Sequence, residues 1–457
     1  MECIPALVGT DLRLSKRYQG LVTSHLSAAH RVAAGLHGEP ALSSSLAAAQ
    51  GAWRFFAHDD TTLPVLAGPL LDCARSAIPD ACDGYTLVPL DWCDLHLAGH
   101  GAKADRVELA NKSDLGYELL TALAVSDRDG SPIAPLCLEM RSAAGWHSTR
   151  SGRVLRADSP LDKVAPVMRH VSGFVAAAAP AARARPPVFI IDREGDSVGH
   201  FRRWSRDGFR FVVRANDAPL VSHGGDSLPL GAVADSLRAS MTFSREVEYQ
   251  GAPARQYVAE ARVTLTRPAS THRKDRASGK DKRVRTKGEP LPLRLVVAEV
   301  RDGGGEVLAR WLILTNLPPE VAAETVALWY YWRWRIESYH KLLKGAGQQV
   351  ESWQQESAAA VAKRLAVAAM ACVVVWKLAR DPSPAAAELR QALVGLSGRQ
   401  MKRGKEARPF TEPALLAGLE LLLKMLTVLE RHEPAELRRL LDAALPGLRP
   451  PPQRKDV

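Results

Sequence analysis

The sequence has no closely spaced cysteine pairs and no long hydrophobic run. None of the six cysteines among the 457 residues forms a C-x2-C pair. The local group Cys93, His96 and His100 has no obvious fourth ligand nearby. We therefore do not expect a zinc site, and we interpret the cysteines as reduced, mostly buried thiols of a cytoplasmic protein.

Membrane and secretion signals are also missing. The longest apolar run, residues 365–376, is shorter than the roughly 20 residues that cross a bilayer, and charged residues flank it. The first residues lack the charged and apolar regions of a signal peptide. We expect no membrane partner, and we predict that residues 365–376 form a buried helix.

Positive charge, in contrast, is present in excess. The chain has 61 Lys and Arg against 50 Asp and Glu, which gives a formal net charge of +11. An excess of this size favours a polyanionic partner, nucleic acid before membrane. The plain alternative is a generally basic, arginine-rich protein from a GC-rich genome.

The most informative spacing lies in WYYWRWRIESYHKLLKGAG, where Tyr330, Arg333, Glu337 and Lys344 follow the pattern Y-x2-R-x3-E-x6-K. On one continuous helix these four residues fall within an arc of roughly 60°, and Lys341 shares their face. This face presents one carboxylate among phosphate-seeking groups, which suits metal-dependent phosphodiester chemistry. Taken alone, the pattern is also typical of a solvated polar helix face.

Two aspartates follow apolar runs typical of strands. Asp91 ends such a run in TLVPLDWCDLHLAGH, and Asp192 directly follows Val188 to Ile191 in VFIIDREGD. A single aspartate at the end of a strand is usually a turn residue, so the conjunction with Glu337 carries the interpretation. Three other acids compete for these two roles: Asp94, Glu194 and Asp196.

The order strand–Asp, strand–Asp, helix–Glu resembles the DDE transposases, which have an RNase H-like catalytic domain. The Tyr-Arg-Glu-Lys spacing is similar to the signature of the IS-four-like group of bacterial insertion sequences. Asp11, Arg13, Arg17 and the run AAAQGAWRFFAHDDTTL resemble the DNA-recognition domain of that group. The segment RWLILT, residues 310–315, resembles the strand that leads to the glutamate helix.

The resemblance implies a catalytic site made of Asp91, Asp192 and Glu337. These three carboxylates would bind Mg²⁺, with Mn²⁺ as a substitute, since hard cations prefer oxygen ligands. Two such ions about 4 Å apart can stabilise both the attacking and the leaving oxygen. The implied DNA-binding residues are Tyr330, Arg333, Lys344, Lys341, Trp311 and Arg214. Trp311 holds the place of a tryptophan that stacks on a flipped base, and the alternative for it is a sheet-core aromatic.

The implied activity is cut-and-paste transposition. Water cleaves one strand at the transposon end, a hairpin forms and is opened, and the 3′ ends join target DNA. The implied partners are double-stranded DNA with terminal inverted repeats, target DNA and a second copy of the chain in a homodimer on DNA. The protein would be cytoplasmic and, when bound, associated with the nucleoid. A structure-specific nuclease with the same fold and an inactive DNA-binding regulator derived from a transposase are the alternatives.

The expected fold class is α/β, with an RNase H-like core, an inserted β subdomain and helical domains at both ends. We predict a DNA-recognition domain at 1–75, a catalytic domain at 76–360 with the insertion at 218–318, and a helical dimerisation or DNA-binding region at 361–457. The predicted core strands are residues 85–90, 117–125, 133–140, 188–191 and 209–213, with helices at 161–178 and 198–204. The predicted strands of the insertion are residues 247–249, 257–265, 293–300 and 311–315.

Two basic segments stand out from this pattern. Residues 267–288, RPASTHRKDRASGKDKRVRTKG, have no apolar periodicity, so we predict an exposed, mobile loop. It would contact a DNA backbone or be merely solvated. The second segment contains Arg399, Lys402, Arg403, Lys405 and Arg408.

Overall fold

The computed structural model describes residues 4–27, 45–111, 113–157, 160–177, 180, 184–274, 281–398 and 410–444. The side chains of residues 45–49, 160, 270–274 and 281–284 are not described. The basic segment at 399–408 lies outside the described residues, as do the last residues of the chain.

Three helices, six strands and a fourth helix make up the described chain as far as residue 176. They are α1 (Leu12–Ser27), α2 (Ser45–Ala57), α3 (Leu63–Ala81), β1 (Thr86–His96), β2 (Val107–Glu108), β3 (Leu115–Ser126), β4 (Pro132–Ser142), β5 (Gly145–Ser148), β6 (Ser151–Leu155) and α4 (Pro160–Ala176).

Strands dominate the next part of the chain. They and their helices are β7 (Pro187–Ile191), α5 (Val198–Arg206), β8 (Arg210–Ala215), β9 (Leu220–His223), β10 (Asp226–Pro229), α6 (Leu230–Ser236), β11 (Thr242–Tyr249), β12 (Ala252–Leu265), β13 (Ala269–Lys274), β14 (Asp281–Thr286), β15 (Leu291–Arg301) and β16 (Val307–Thr315).

Helices follow to the end of the described chain. They are α7 (Ala323–Tyr331), α8 (Trp334–Leu343), α9 (Ala358–Arg380), α10 (Pro384–Ser397), α11 (Glu412–Leu429) and α12 (Pro434–Ala444).

The protein is a mixed α/β protein built on one large open sheet. Within the described residues, fourteen strands join this sheet, and its order is β10-β9-β12-β15-β16-β8-β7-β1-β3-β4-β5-β6, with β11 beside β12 and β2 beside β3. At its centre β1 and β8 both run parallel to β7. The neighbours on either side are antiparallel, β3 to β1 and β16 to β8. All the strands predicted in the core and in the insertion are present.

Residues 267–288 correct one expectation. Instead of a loop, β13 and β14 form an antiparallel hairpin in register from Ala269 opposite Thr286 to Lys274 opposite Asp281. The sequence has no apolar alternation here, but the β-branched Thr271 and Val284, which favour extended backbone, lie opposite each other. High charge therefore obscured a strand pairing that local propensity supports.

Helix α9 forms part of the core. Its residues 365–376 are all buried, as predicted, and it packs on α3, α1 and β4. It is the one helix in the described chain that is long and apolar enough to cross a membrane, yet 83% of its apolar window is buried inside the protein. Its apolar character is therefore explained by core packing.

The expected domain limits remain predictions. The limit at residue 75 falls inside α3, and the limit at residue 360 falls inside α9.

Candidate active site

The two aspartates meet at the centre of the sheet. The parallel pairing of β1 with β7 ends at Leu90 opposite Ile191. Asp91 is the next residue of β1, and Asp192 directly follows the end of β7. Paired strands lie about 4.8 Å apart, so the two carboxylates start from neighbouring backbone positions. Beyond this point β7 gives way to a 3-10 turn, Arg193–Gly195, in which the amide of Glu194 donates to Asp192 Oδ1 at 2.9 Å.

Asp91 is not at the end of its strand, which corrects the sequence-based boundary. β1 continues to His96 because β3 pairs with it over its full length, with Asp91 opposite Thr121 and His96 opposite Gly116. The apolar run stops where β7 stops, so the change in composition marks the loss of one neighbour rather than the end of the strand.

The segment that carries Glu337 is two helices rather than one. α7 ends at Tyr331, α8 begins at Trp334, and the backbone between them makes i to i+3 hydrogen bonds such as Arg333 N to Tyr330 O at 3.0 Å. Trp332 fills the break, and its ring packs so closely on Gly130 of the β3–β4 turn that a Cβ there would lie 2.6 Å away. The arc of roughly 60° expected for an unbroken helix therefore does not apply.

Arg333 connects the helix to the sheet. Its Nη1 lies 3.3 Å from Asp91 Oδ2, and its Nη2 donates to Glu337 Oε1 at 2.6 Å. The Arg333 side chain is 11% exposed, against 17% for Asp91 and 27% for Glu337. A cation is thus held between two of the three predicted catalytic carboxylates.

Asp192 and Glu337 both lie close enough to Asp91 for their charges to raise its pKa. Burial is the largest cause that raises the pKa of Asp91, Arg333 opposes it, and with the added charges of Asp192 and Glu337 the pKa is raised to about 7. Burial works against the charge of Arg333, but nearby Tyr330 and the three carboxylates outweigh it and raise its pKa. The site therefore concentrates negative charge that a single guanidinium only partly neutralises.

Two of the expected phosphate contacts lie beside this cluster. Burial raises the pKa of Tyr330, while the charges of Arg333 and Arg214 act to lower it. Tyr330 is 3% exposed, and Arg214 is half-buried on β8. Both residues are therefore close to the carboxylates, although Tyr330 is covered in this conformation.

Trp311 is also covered. It lies on β16 with 7% of its surface exposed, and its ring centroid is 6.2 Å from that of Tyr330. In this conformation it is a sheet-core aromatic, so base stacking requires that α7 move away from the sheet. The role of Trp311 in DNA binding stays a prediction.

The two lysines of the motif have different surroundings. Lys344 follows α8, donates to the carbonyl oxygen of Asp94 and lies 3.4 Å from Glu351 Oε1. Glu351 also accepts from the His96 amide at 3.0 Å, so Lys344 helps to hold the chain after α8 against β1. Lys341 is exposed on α8. Sequence reasoning missed Glu351, which no spacing pattern links to Lys344.

The competing acids have other surroundings. Asp196 Oδ2 accepts from the backbone and side-chain nitrogens of Asn216, each at 2.9 Å, so Asp196 ties the turn after β7 to the end of β8. Asp94 lies opposite Glu118 on β3, three residues beyond Asp91. Burial, followed by the charge of Asp192, raises the pKa of Glu194. In the described contacts Arg333 pairs with Asp91 and with none of these three competing acids.

The donor set has the right chemistry for a hard cation, because all three side chains offer carboxylate oxygens and crowd negative charge. Across the described residues, however, no three His, Cys, Asp or Glu side chains stand close enough to hold one metal ion. Arg333 occupies the space between Asp91 and Glu337. The carboxylates therefore suit a divalent ion only if the Arg333 guanidinium leaves its present position.

Comparison of the whole chain with protein-family models and with curated proteins finds no match in either set.

Proposed function

We propose that this chain is a cut-and-paste DNA transposase of the IS-four-like DDE group. The observation that carries the proposal is the common site of Asp91, Asp192 and Glu337, which lie far apart in sequence. Two come from adjacent parallel strands, and the third reaches Asp91 through a shared arginine. A buried acid whose pKa is strongly perturbed by charged neighbours is more frequent at functional sites than elsewhere.

The order of the central strands supports an RNase H-like core. β1, β3 and β4 are adjacent antiparallel strands in the sheet, and β7 and β8 then add in parallel on the other side of β1. A helix precedes each of these last two strands, α4 before β7 and α5 before β8. This is the order we expected of such a sheet, and in it both aspartates occupy central strands.

Phosphoryl transfer at this site would use the carboxylates as ligands of two Mg²⁺ or Mn²⁺ ions, which would supply charge stabilisation at the scissile phosphate. Asp91, Asp192 and Glu337 would hold them. Arg333 has a fork of donors that matches phosphate as well as carboxylate. Once released from Asp91, it is positioned to bind a phosphate oxygen, with Tyr330 and Arg214 next to it.

The test is cleavage of a duplex that contains the inverted repeats flanking the gene, with and without Mg²⁺. We expect Asp91→Asn, Asp192→Asn and Glu337→Gln each to abolish cleavage while duplex binding is retained. Asp94→Asn is the matched control, since it removes a carboxylate from the same strand without contact to Arg333. Normal cleavage by any of the first three variants would reject that residue as a ligand.

A second candidate is a DNA-binding protein that does not cleave. The position of Arg333 between Asp91 and Glu337 favours this candidate. The guanidinium already neutralises part of the negative charge that a bound metal ion would neutralise. Strong duplex binding with no cleavage at any Mg²⁺ or Mn²⁺ concentration would support this candidate. Cleavage followed by joining of the DNA ends into a target plasmid would distinguish a transposase from a nuclease that only cleaves.

A further inference from the structure

A cavity of about 560 Å³ lies between α5 and the base of the β13–β14 hairpin. Its volume is within the range of roughly 300–1,000 Å³ found for small-ligand sites. On one side it is lined by residues of α5, and on the other by Ala269 and by residues 286–291, which lead from β14 into β15. The function proposed above makes no use of it.

Positive charge dominates the lining. Arg202, Arg203 and Arg206 come from α5 and Lys287 from the opposite wall, against one carboxylate, that of Glu289. Within the part of the chain that the structure describes, neither Arg203 nor Lys287 has a carboxylate partner. Such a concentration of cations in a concave surface attracts an anion.

Two lining side chains also carry buried polar atoms that lack a hydrogen-bond partner among the described residues, Arg202 Nη1 and Ser205 Oγ. The Arg202 guanidinium is held by its Nε, which donates to Glu289 O at 2.8 Å. Gly288 allows this close approach, since a Cβ at that position would lie 2.9 Å from Arg202 Nη1. An oxygen-rich ligand bound beside them would supply the hydrogen-bond partner that each of these two atoms lacks.

The cavity is joined to the carboxylate site by one short segment. Asp196, four residues after Asp192, lies 3.8 Å from Arg267, which is two residues before Ala269 in the cavity wall. On the other side of Asp196 the chain enters α5, and Arg202 lies four residues, or about 6 Å of rise, into that helix. The cavity and the carboxylate site therefore lie on one continuous segment of the chain, from Asp192 to Arg206.

We propose that this cavity binds a backbone phosphate of the DNA on which the three carboxylates act. The inference rests on the proposed DNA partner. An extended polyanion is favoured over a free anion because the cations lie on both walls and the cavity is linked to the carboxylate site. Because phosphate contacts carry no base information, this site would position DNA of any sequence.

The test is the salt dependence of duplex binding by the full chain, measured by fluorescence anisotropy without divalent metal. Each phosphate contact contributes about 0.9 to the slope of log Kd against log salt concentration. We expect Arg203→Gln/Arg206→Gln to lower this slope by about 0.9 for each phosphate that the variant no longer binds. Both residues are exposed, so the fold should be retained, and thermal melting followed by circular dichroism checks this.

Arg255→Gln/Arg262→Gln is the matched control. It removes the same charge from exposed positions on β12 that do not line the cavity. An unchanged slope in the cavity variant, or an equal fall in the control, would overturn the proposal. Binding is measured without cleavage. If the cavity variant lowers the slope but the chain never cleaves DNA, the transposase proposal is rejected and the phosphate-site proposal stands.

A second arm separates backbone phosphate from free phosphate. Melting of the wild-type chain is compared in inorganic phosphate and in chloride at equal ionic strength. If phosphate raises the melting temperature of the wild type but not of Arg203→Gln/Arg206→Gln, while the DNA slope is the same in both, the cavity serves a free anion and the DNA contact is rejected. A lower DNA slope in the variant supports the contact.

Discussion

Replacing Asp91 with asparagine should stabilise the fold while it removes activity. The ordinary pKa of an aspartate is 3.8, and burial with two neighbouring carboxylates raises the pKa of Asp91 to about 7. A difference of about three pH units corresponds to about 4 kcal/mol, at 1.36 kcal/mol for each unit. Asparagine has a similar shape, carries no charge at any pH and leaves Arg333 bonded to Glu337.

The sign of the effect follows from proton binding. Between pH 3.8 and about 7 the folded chain keeps a proton on Asp91 that the unfolded chain has released, so the free energy of unfolding falls as pH rises through this window. The free energy of unfolding of Asp91→Asn does not fall in this window, because asparagine does not titrate. The free energy of unfolding of Asp91→Asn should exceed that of the wild type by almost nothing below about pH 3. The difference should grow by roughly 2–3 kcal/mol between pH 5 and pH 8 and be constant above that.

The assay is urea denaturation of both proteins at several pH values, with a chelator present to remove divalent metal. Adding Mg²⁺ should reduce the difference, because an ion that binds the folded wild type stabilises it. An advantage that does not change between pH 5 and pH 8 would refute the assignment of a raised pKa to Asp91. Growth of the same size in Asp94→Asn would show that the effect is not specific to Asp91.

Three further changes test the neighbouring residues. Arg333→Gln should lower the free energy of unfolding by about 3 kcal/mol at pH 8, since it leaves two partly buried carboxylates unpaired, and by less at pH 5. An equal loss at both pH values would contradict this. Gly130→Ala should cost more than about 1 kcal/mol, because φ is +69° and its Cβ would lie 2.6 Å from Trp332, and an unchanged melting temperature would contradict the packing. Trp311→Ala should reduce hairpin formation more than nicking in the cleavage assay, whereas equal loss of both would leave Trp311 as a core residue.

Local pattern predicted most of the sheet. An apolar run such as 188–191 identifies a strand because a strand buried on both faces must be apolar throughout. The same logic placed the limit of β1 too early, since Asp91 to His96 are covered by β3 alone on one side. The apolar content of a segment indicates how deeply it is buried, and the burial of a strand changes where a neighbouring strand ends.

The candidate site was harder to predict than the strands. Spacing gave the identity of Arg333 and Glu337, but it did not give the break at Trp332, which arises from packing against Gly130 on another part of the chain. The ion pair between Arg333 and Glu337 has the i, i+4 spacing that would have predicted it. The contact of Arg333 with Asp91 joins residues 242 positions apart, so only the fold reveals it.

The segment from Asp192 to Arg206 links the two proposed sites. It begins at a carboxylate beside Asp91, passes through Asp196, which is anchored on Asn216 and Arg267, and ends in a helix that carries three cavity arginines. A phosphate held in the cavity would therefore place the same DNA at a fixed offset from the carboxylates. A metal ion or phosphate that enters the acidic site would displace Arg333 from Asp91. The position of the DNA along the protein would instead be set by the arginines of α5. Binding and chemistry would be separable by mutation even though one short segment supports both.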